Sequence, residues 1–348
     1  MSLRKGWTTG ACASAAATAA FAALVRGCFP DPVTIRLPRG ETPAFALSRQ
    51  SLESDRAIAG VIKDAGDDPD VTHGAEIVAM VERGRPGSGV CFRAGEGVGT
   101  VTLPGLPLAV GEPAINPGPR AQIVANLATI EFAPDLVVTL SIPGGEALAA
   151  KTLNGRLGIR GGLSILGTTG VVMPYSCSAW VHSIHRGIDV ARALGLGRVA
   201  ATTGKTSEAA ARRLFDLPEP ALIDMGDMAG AVLKYLRRHP VERLVLVGGF
   251  AKLVKLAAGE MDLHSKASRV DQAGLAAMLA ELGASPEPVR AAAEARSAAQ
   301  VLALAGDLPL GDLVARRARE VALAILSGGT EIEVVAIDRM GRVVGHAG

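Results

Sequence analysis

The segment "KDAGDDPDVTHG" places Asp64, Asp67, Asp68 and Asp70 within seven residues, with His73 just beyond. Carboxylates so close together repel one another, and a cationic or hydroxyl-rich ligand would relieve that repulsion. The spacing does not fit the calcium loop of a helix–loop–helix hand, which needs a glycine at its sixth position. A solvated turn is the competing reading. Positive charge gathers in "GGFAKLVKLAAGEMDLHSKASRVD", where Lys252 and Lys255 stand three apart on a helix and His264, Ser265, Lys266 and Arg269 follow. Helical spacing puts the two lysines at neighbouring points of one face. Such a basic end can receive several carboxylates, although a plain solvated helix would carry the same charges.

Other motifs exclude more than they establish. "TTGKTS", around Gly204-Lys205-Thr206, resembles the end of a phosphate-binding loop, but the glycine required five residues before Gly204 is Val199. What remains is a strand–turn–helix edge able to hold a carboxylate or a ribose. No dinucleotide fingerprint follows a strand, and "GEGVG" lies between two strand-like runs, as a hairpin or bulge would. His182 and His185 share a helix face without a third ligand nearby, so no protein-bound metal is expected. The opening "RKGWTTGACASAAATAAFAALVRG" has the outline of a membrane span or export signal, yet it is Ala, Thr, Ser and Gly rather than Leu and Ile. As a helix it is capped by Thr8 or Thr9, allows close approach at Gly10, and would offer first-turn N–H groups to an anion.

These groups need a scaffold, and two textures supply it. Residues 1–155 read as an α+β domain: the opening helix, a run of strands including "DRAIAGVIKDAGDD", "GAEIVAMVERG" and "LVVTLSIPGG", and a proline-led helix in "NPGPRAQIVANLATI". One antiparallel or mixed sheet with helices on one face follows. Residues 156–348 read as an α/β domain of strand–glycine–helix units, which implies a mostly parallel sheet, closed by a hairpin turning near Met340-Gly341. At 348 residues, 49% hydrophobic and 20% charged, the chain can bury two cores. A net charge of +2 without a basic run, and only 3% aromatics, argue against a nucleic-acid partner. No membrane partner is expected either. The four cysteines form no CxxC pair and are expected to be small buried thiols in a reducing cytoplasm.

Taken together, "RKGWTTGACASAAATAA", "KDAGDDPDVTHG", "GEGVGTVTLPGL", "GEPAINPGPR", "LNGRLGIRGGLSILGTTGVVMPYS", "GGFAKLVKLAAG" and "LHSKAS" resemble the successive motifs of the CbiD family, in order from about residue 4 to the end. Its members are cobalt-precorrin-5B C(1)-methyltransferases of anaerobic cobalamin biosynthesis. The resemblance implies S-adenosylmethionine as methyl donor, a cobalt-bearing tetrapyrrole as substrate with cobalt-precorrin-6A as product, and a two-domain α/β fold whose N-terminal part is similar to the ribosomal S5 domain 2-like arrangement. One motif departs from the family: "GHxGKLxKLA" reads "GGFAKLVKLA", so Gly249 stands where a His is expected and Ala251 where a Gly is.

The implied ligands assign tasks. Carboxylate arms of the tetrapyrrole suit Thr8, Thr9, Gly10, Arg120, Lys252, Lys255, His264 and Lys266. The donor's sulfonium and ribose suit Asp64, Asp67, Asp68 and the turn Gly167-Thr168-Thr169-Gly170. Catalysis is then mainly alignment, with Asp68 or His264 as candidates to take a proton. A non-catalytic tetrapyrrole carrier is the rival reading, needing a basic crevice but no donor pocket. A phosphate-handling enzyme is disfavoured by the failed loop pattern. A homo-oligomer stays open.

Overall fold

The computed structural model describes residues 3–348. Contacts divide the chain into two compact units, one ending at Ser176 and the other starting at Cys177.

The first unit runs β1 (Gly6–Trp7), α1 (Thr9–Arg26), β2 (Val33–Thr34), β3 (Ala44–Phe45), β4 (Arg49–Leu52), β5 (Arg56–Ile62), β6 (Glu76–Arg83), β7 (Val90–Ala94), β8 (Thr100–Val101), α2 (Pro117–Leu127), β9 (Leu136–Ser141), α3 (Gly145–Ala149), β10 (Ile159–Arg160) and β11 (Val171–Val172). Its main sheet has the order β4-β5-β6-β9-β7, antiparallel except for the β7–β9 pair. Alternate residues Ala57, Ala59 and Val61, Ile77, Ala79 and Val81, and Leu136, Val138 and Leu140 all join one core with α1. That period of two is what one covered face requires.

Helix α1 is buried on every side from Thr9 to Ala23. Its alanines leave room for α2, β5 and β6 to pack against it, and Phe21 supplies the bulk. Length and apolarity alone would let it cross a membrane, but it is the central helix of this core. Gly27, at φ 77°, ends it by donating to the Ala23 carbonyl at 2.8 Å.

The boundary expected at 155/156 is corrected by this arrangement. Ile159–Arg160 pairs with Thr100–Val101, and Val171–Val172 pairs with Gly6–Trp7, so residues 156–176 belong to the first unit. The strand–glycine–helix texture starts only afterwards.

The second unit runs α4 (Cys177–Ala193), β12 (Arg198–Thr202), α5 (Lys205–Leu214), β13 (Leu222–Asp224), α6 (Ala229–Leu236), β14 (Arg243–Gly249), α7 (Phe250–Ala257), α8 (Gln272–Glu281), α9 (Pro286–Ala293), α10 (Ala298–Leu304), α11 (Leu310–Leu326), β15 (Glu331–Ile337) and β16 (Val343–Ala347). The sheet order is β13-β12-β14-β15-β16, parallel except for the final hairpin, whose turn includes Gly341 at φ 78°. Ala200, Val245, Val247, Val335 and Ile337 face α5, while Val199, Ala201, Leu244, Leu246 and Val334 face α4, α6, α7 and α11. The chain leaves β12 on one side and later returns to its other side as β14. In open α/β sheets such a reversal is the place beside which ligands bind, outside the carboxyl ends of the strands.

Candidate functional site

Three distant segments of the first unit come together: residues 4–10, 64–73 and 166–175. Gly6–Trp7 pairs with Val171–Val172, the Trp7 N–H donates to the Asp64 carbonyl at 2.7 Å, and the Asp67 N–H donates to the Arg4 carbonyl at 3.0 Å. Gly6 and Gly66 make this possible, because a Cβ on either would strike the other segment's backbone at 2.0–2.4 Å.

The carboxylates of the acidic loop are not left to repel one another, as the sequence alone suggested. Arg4 grips Asp64 through both guanidinium nitrogens, one of them at 2.9 Å from Oδ1. That grip, with the Gly66 N–H, pulls the Asp64 carboxyl down to about 2. The Arg4 backbone N–H donates to Asp67 at 2.6 Å, and the Tyr175 N–H donates to Asp68 Oδ1 at 2.8 Å. Asp70 accepts from the buried Lys63 ammonium at 2.7 Å and from Thr72. His73 Nδ1 accepts the Ala65 N–H at 3.1 Å. Asp67 is exposed and Asp68 half-buried, so these two keep acceptor capacity for a ligand.

The start of α1 corrects a second expectation. Its N–H groups are engaged: Thr8 donates to the Gly170 carbonyl and Gly10 to the Leu166 carbonyl, each at 3.0 Å, while Ala11 donates to Thr8 Oγ1 at 3.1 Å. Thr9 Oγ1 exchanges hydrogen bonds with the backbone of Leu166. All three residues, Thr8, Thr9 and Gly10, are buried. The turn Gly167-Thr168-Thr169-Gly170 therefore caps this helix and occupies the place given to an anion. Gly167, at φ 121°, has no space for a Cβ, which would lie 2.4 Å from that of Thr8. Thr168 is the exposed member of the turn, and Thr169 Oγ1 bonds Val171. Arg120 is similarly committed: it donates to the Ile115 carbonyl at 2.7 Å, pairs with Glu112 at 3.3 Å and lies over the Phe92 ring. It braces the 112–115 loop and does not stand free for a substrate arm.

The basic cluster of the second unit divides. Lys255 points inward, 6% exposed, and donates to the Leu263 carbonyl at 2.8 Å. Lys252 reaches the Thr203 carbonyl at 2.8 Å and pairs with Asp227 at 3.0 Å, tying together the loops after β12 and β13. Neither lysine is the free cation that helical spacing suggested. His264, Ser265, Lys266 and Arg269 are exposed. His264 Nδ1 accepts the Lys266 N–H at 3.1 Å, so the neutral ring carries its proton on Nε2 and is a donor, not a base, at that atom. Gly249 faces open space at an ordinary φ of −59°, so the histidine of the family pattern would find room there. Lys255→Met should therefore cost stability, about 1–3 kcal/mol for a buried carbonyl left without its donor. Urea unfolding checks this; an unchanged midpoint would return Lys255 to the surface.

His185 stacks on Tyr235 with ring centroids 3.9 Å apart, and burial pushes its pKa down. Among the described residues no group of three or more His, Cys, Asp or Glu could hold a metal ion. Of the cysteines only Cys12 is buried, where burial pushes its thiol up to about 12; Cys28, Cys91 and Cys177 are exposed, contrary to expectation. Sequence reasoning passed over Arg4, Lys63 and Tyr175, although all three lie inside the quoted motifs.

The family profile described as CbiD matches residues 1–174, and that described as CbiD, C-terminal domain, matches residues 262–348. A relative from Paramagnetospirillum magneticum, named cobalt-precorrin-5B C(1)-methyltransferase, is 59% identical over 99% of this chain and 98% of its own. One of the same name from Rhodospirillum rubrum is 57% identical over 100% and 98%. The crystal structure of a cobalamin biosynthesis protein (cbiD) from Archaeoglobus fulgidus is 33% identical, covering 76% of this chain and 83% of that one with a TM-score of 0.42. The chain belongs to the CbiD family.

Proposed function

We infer that this chain transfers the methyl group of S-adenosylmethionine to C-1 of cobalt-precorrin-5B, giving cobalt-precorrin-6A in anaerobic cobalamin biosynthesis, as a cytoplasmic enzyme. Full-length relatives that carry this activity in their names support the reading. The structural observation behind it is the convergence of residues 4–10, 64–73 and 166–175, three separate stretches of sequence that pair through their backbones and hold the acidic loop in place.

In such a transfer the ring carbon forms a bond to the methyl group while the carbon–sulfur bond breaks and its electrons stay on sulfur. The sulfonium is already a strong electrophile, so the protein contributes mainly alignment and exclusion of water. Asp67 offers its exposed carboxylate to the cationic sulfonium or the ribose hydroxyls. His264 and Lys266, on the second unit, are exposed and able by themselves to donate to carboxylates. The cobalt belongs to the substrate.

Titration calorimetry with S-adenosylhomocysteine tests the reading. Micromolar binding is expected, roughly −8 kcal/mol. No heat and no thermal shift at millimolar ligand would leave a tetrapyrrole carrier as the better account.

A further inference from the structure

Residues Met173-Pro174-Tyr175-Ser176 form a β-turn closed by the Ser176 N–H on the Met173 carbonyl at 3.2 Å. With Pro second and φ 56° third, it has the pattern of a type II turn. The third position of such a turn normally goes to Gly or Asn, because other side chains are strained there. Here it holds Tyr175, whose ring contributes little to the core: the residue is 68% exposed. Among the described residues, the other non-glycine ones at positive φ are Ala133, which is small, and Ser327, which caps the end of α11. Strain of this kind persists where surrounding structure imposes it, and it gathers at functional sites. From outside the turn, Asp68 Oδ1 accepts the Tyr175 N–H at 2.8 Å, across 107 positions of sequence. Met173 and Leu166, 52% and 49% exposed, add apolar surface from the same segment.

We propose that Tyr175 is a stacking platform for a flat conjugated ring, and that Asp68 is the positioning residue that holds it there. This rests on the methyltransferase reading, which supplies two such rings: the adenine of the donor and the macrocycle of the substrate. An aromatic face accepts either, since stacking needs only a second π surface. Asp68 then acts through its oxygen as an acceptor, and its charge is secondary. That distinguishes it from a carboxylate placed to meet a sulfonium.

The test uses the full-length enzyme with four variants, Tyr175→Gly, Tyr175→Phe, Asp68→Ala and Asp68→Asn. S-adenosylhomocysteine affinity, the KM for cobalt-precorrin-5B and thermal melting are measured for each. Tyr175→Gly removes the ring and relieves the backbone, so the protein should melt no lower than wild type. Loss of a stacked ring should weaken one ligand by roughly five- to a hundredfold. A rise confined to the donor Kd identifies adenine, and one confined to the substrate KM identifies the macrocycle. Tyr175→Phe should recover most of the loss, because the ring stays. Asp68→Ala should reproduce it, and Asp68→Asn should recover it, because an amide oxygen still accepts the Tyr175 N–H. Unchanged constants in Tyr175→Gly overturn the platform, and an Asp68→Asn as damaged as Asp68→Ala overturns the positioning role. A wild-type protein that neither binds S-adenosylhomocysteine nor turns over would instead remove the methyltransferase reading beneath both.

Discussion

Gly6→Ala should unfasten the candidate site and remove most activity. The added Cβ would lie 2.0 Å from the Ala65 carbonyl carbon, 2.3 Å from its oxygen and 2.4 Å from the Gly66 nitrogen. All three are backbone atoms in a packed loop, so no rotamer change relieves the overlap. Gly66 cannot yield either: its own Cβ position is 2.2 Å from the Arg4 carbonyl, at φ 68°. The segments must separate, and with them go the Trp7–Asp64 and Asp67–Arg4 backbone bonds. Overpacking and two lost hydrogen bonds together suggest about 3 kcal/mol or more of lost stability. A displacement near 1 Å at a site that works by alignment costs about a hundredfold in rate. Gly155→Ala is the matched control, since nothing lies within 4 Å of its Cβ position. Gly6→Ala with wild-type melting and wild-type kcat/KM would mean that the two segments do not need this contact.

The order of elements was legible because it is local. The strand periods of β5, β6 and β9, the proline-led α2, the strand–glycine–helix units and the hairpin at Gly341 are all written in neighbouring residues. The site was legible only as a set of segments. The acidic loop was visible as charge, but its partners were not. Arg4 lies 60 positions from Asp64, and Asp68 meets Tyr175 across 107, distances that no periodicity spans. The boundary was missed for the same reason, since residues 156–176 are claimed by strands at positions 6–7 and 100–101. Lys255 failed differently. Spacing from Lys252 put it on a shared face, yet it sits between Val254 and Leu256, both buried, and a short helix between sheet and neighbours turns most of its surface inward. The N-terminus of α1 was read as an open anion site because sequence shows which donors a helix leaves unused, not which distant carbonyls will take them.

Lys63→Met should destabilise the first unit by about 3 kcal/mol at neutral pH, the cost of removing one partner from a buried ion pair. Lys63 is 1% exposed, and its ammonium lies 2.7 Å from Asp70 Oδ2. It closes the base of the acidic loop, where its backbone also bonds Gly74 and Ala75. Burial pushes the Asp70 carboxyl up, but the Lys63 charge and the hydrogen bonds from Lys63 and Thr72 outweigh it, and the net shift is downward. The sign follows. A carboxyl whose folded pKa is depressed adds stability above its unfolded value, near about 4, and loses it as pH falls through the lower folded value. In Lys63→Met the attraction is gone and only the hydrogen bonds from Thr72 still oppose burial at Asp70, so its carboxyl takes up a proton at higher pH than in the wild type. The gap between the two proteins should therefore be largest at pH 7 and narrow on approach to about pH 4. Adding Asp70→Asn should restore much of the loss, because the neutral amide no longer needs a cation. Urea unfolding of the three proteins at both pH values measures this. A gap that is equal at the two, or a double variant no more stable than Lys63→Met, would show that packing of the lysine stem and not the ion pair holds the loop. Where the pair does hold it, donor affinity should fall with stability, since Asp67 and Asp68 ride on the loop that Lys63 anchors.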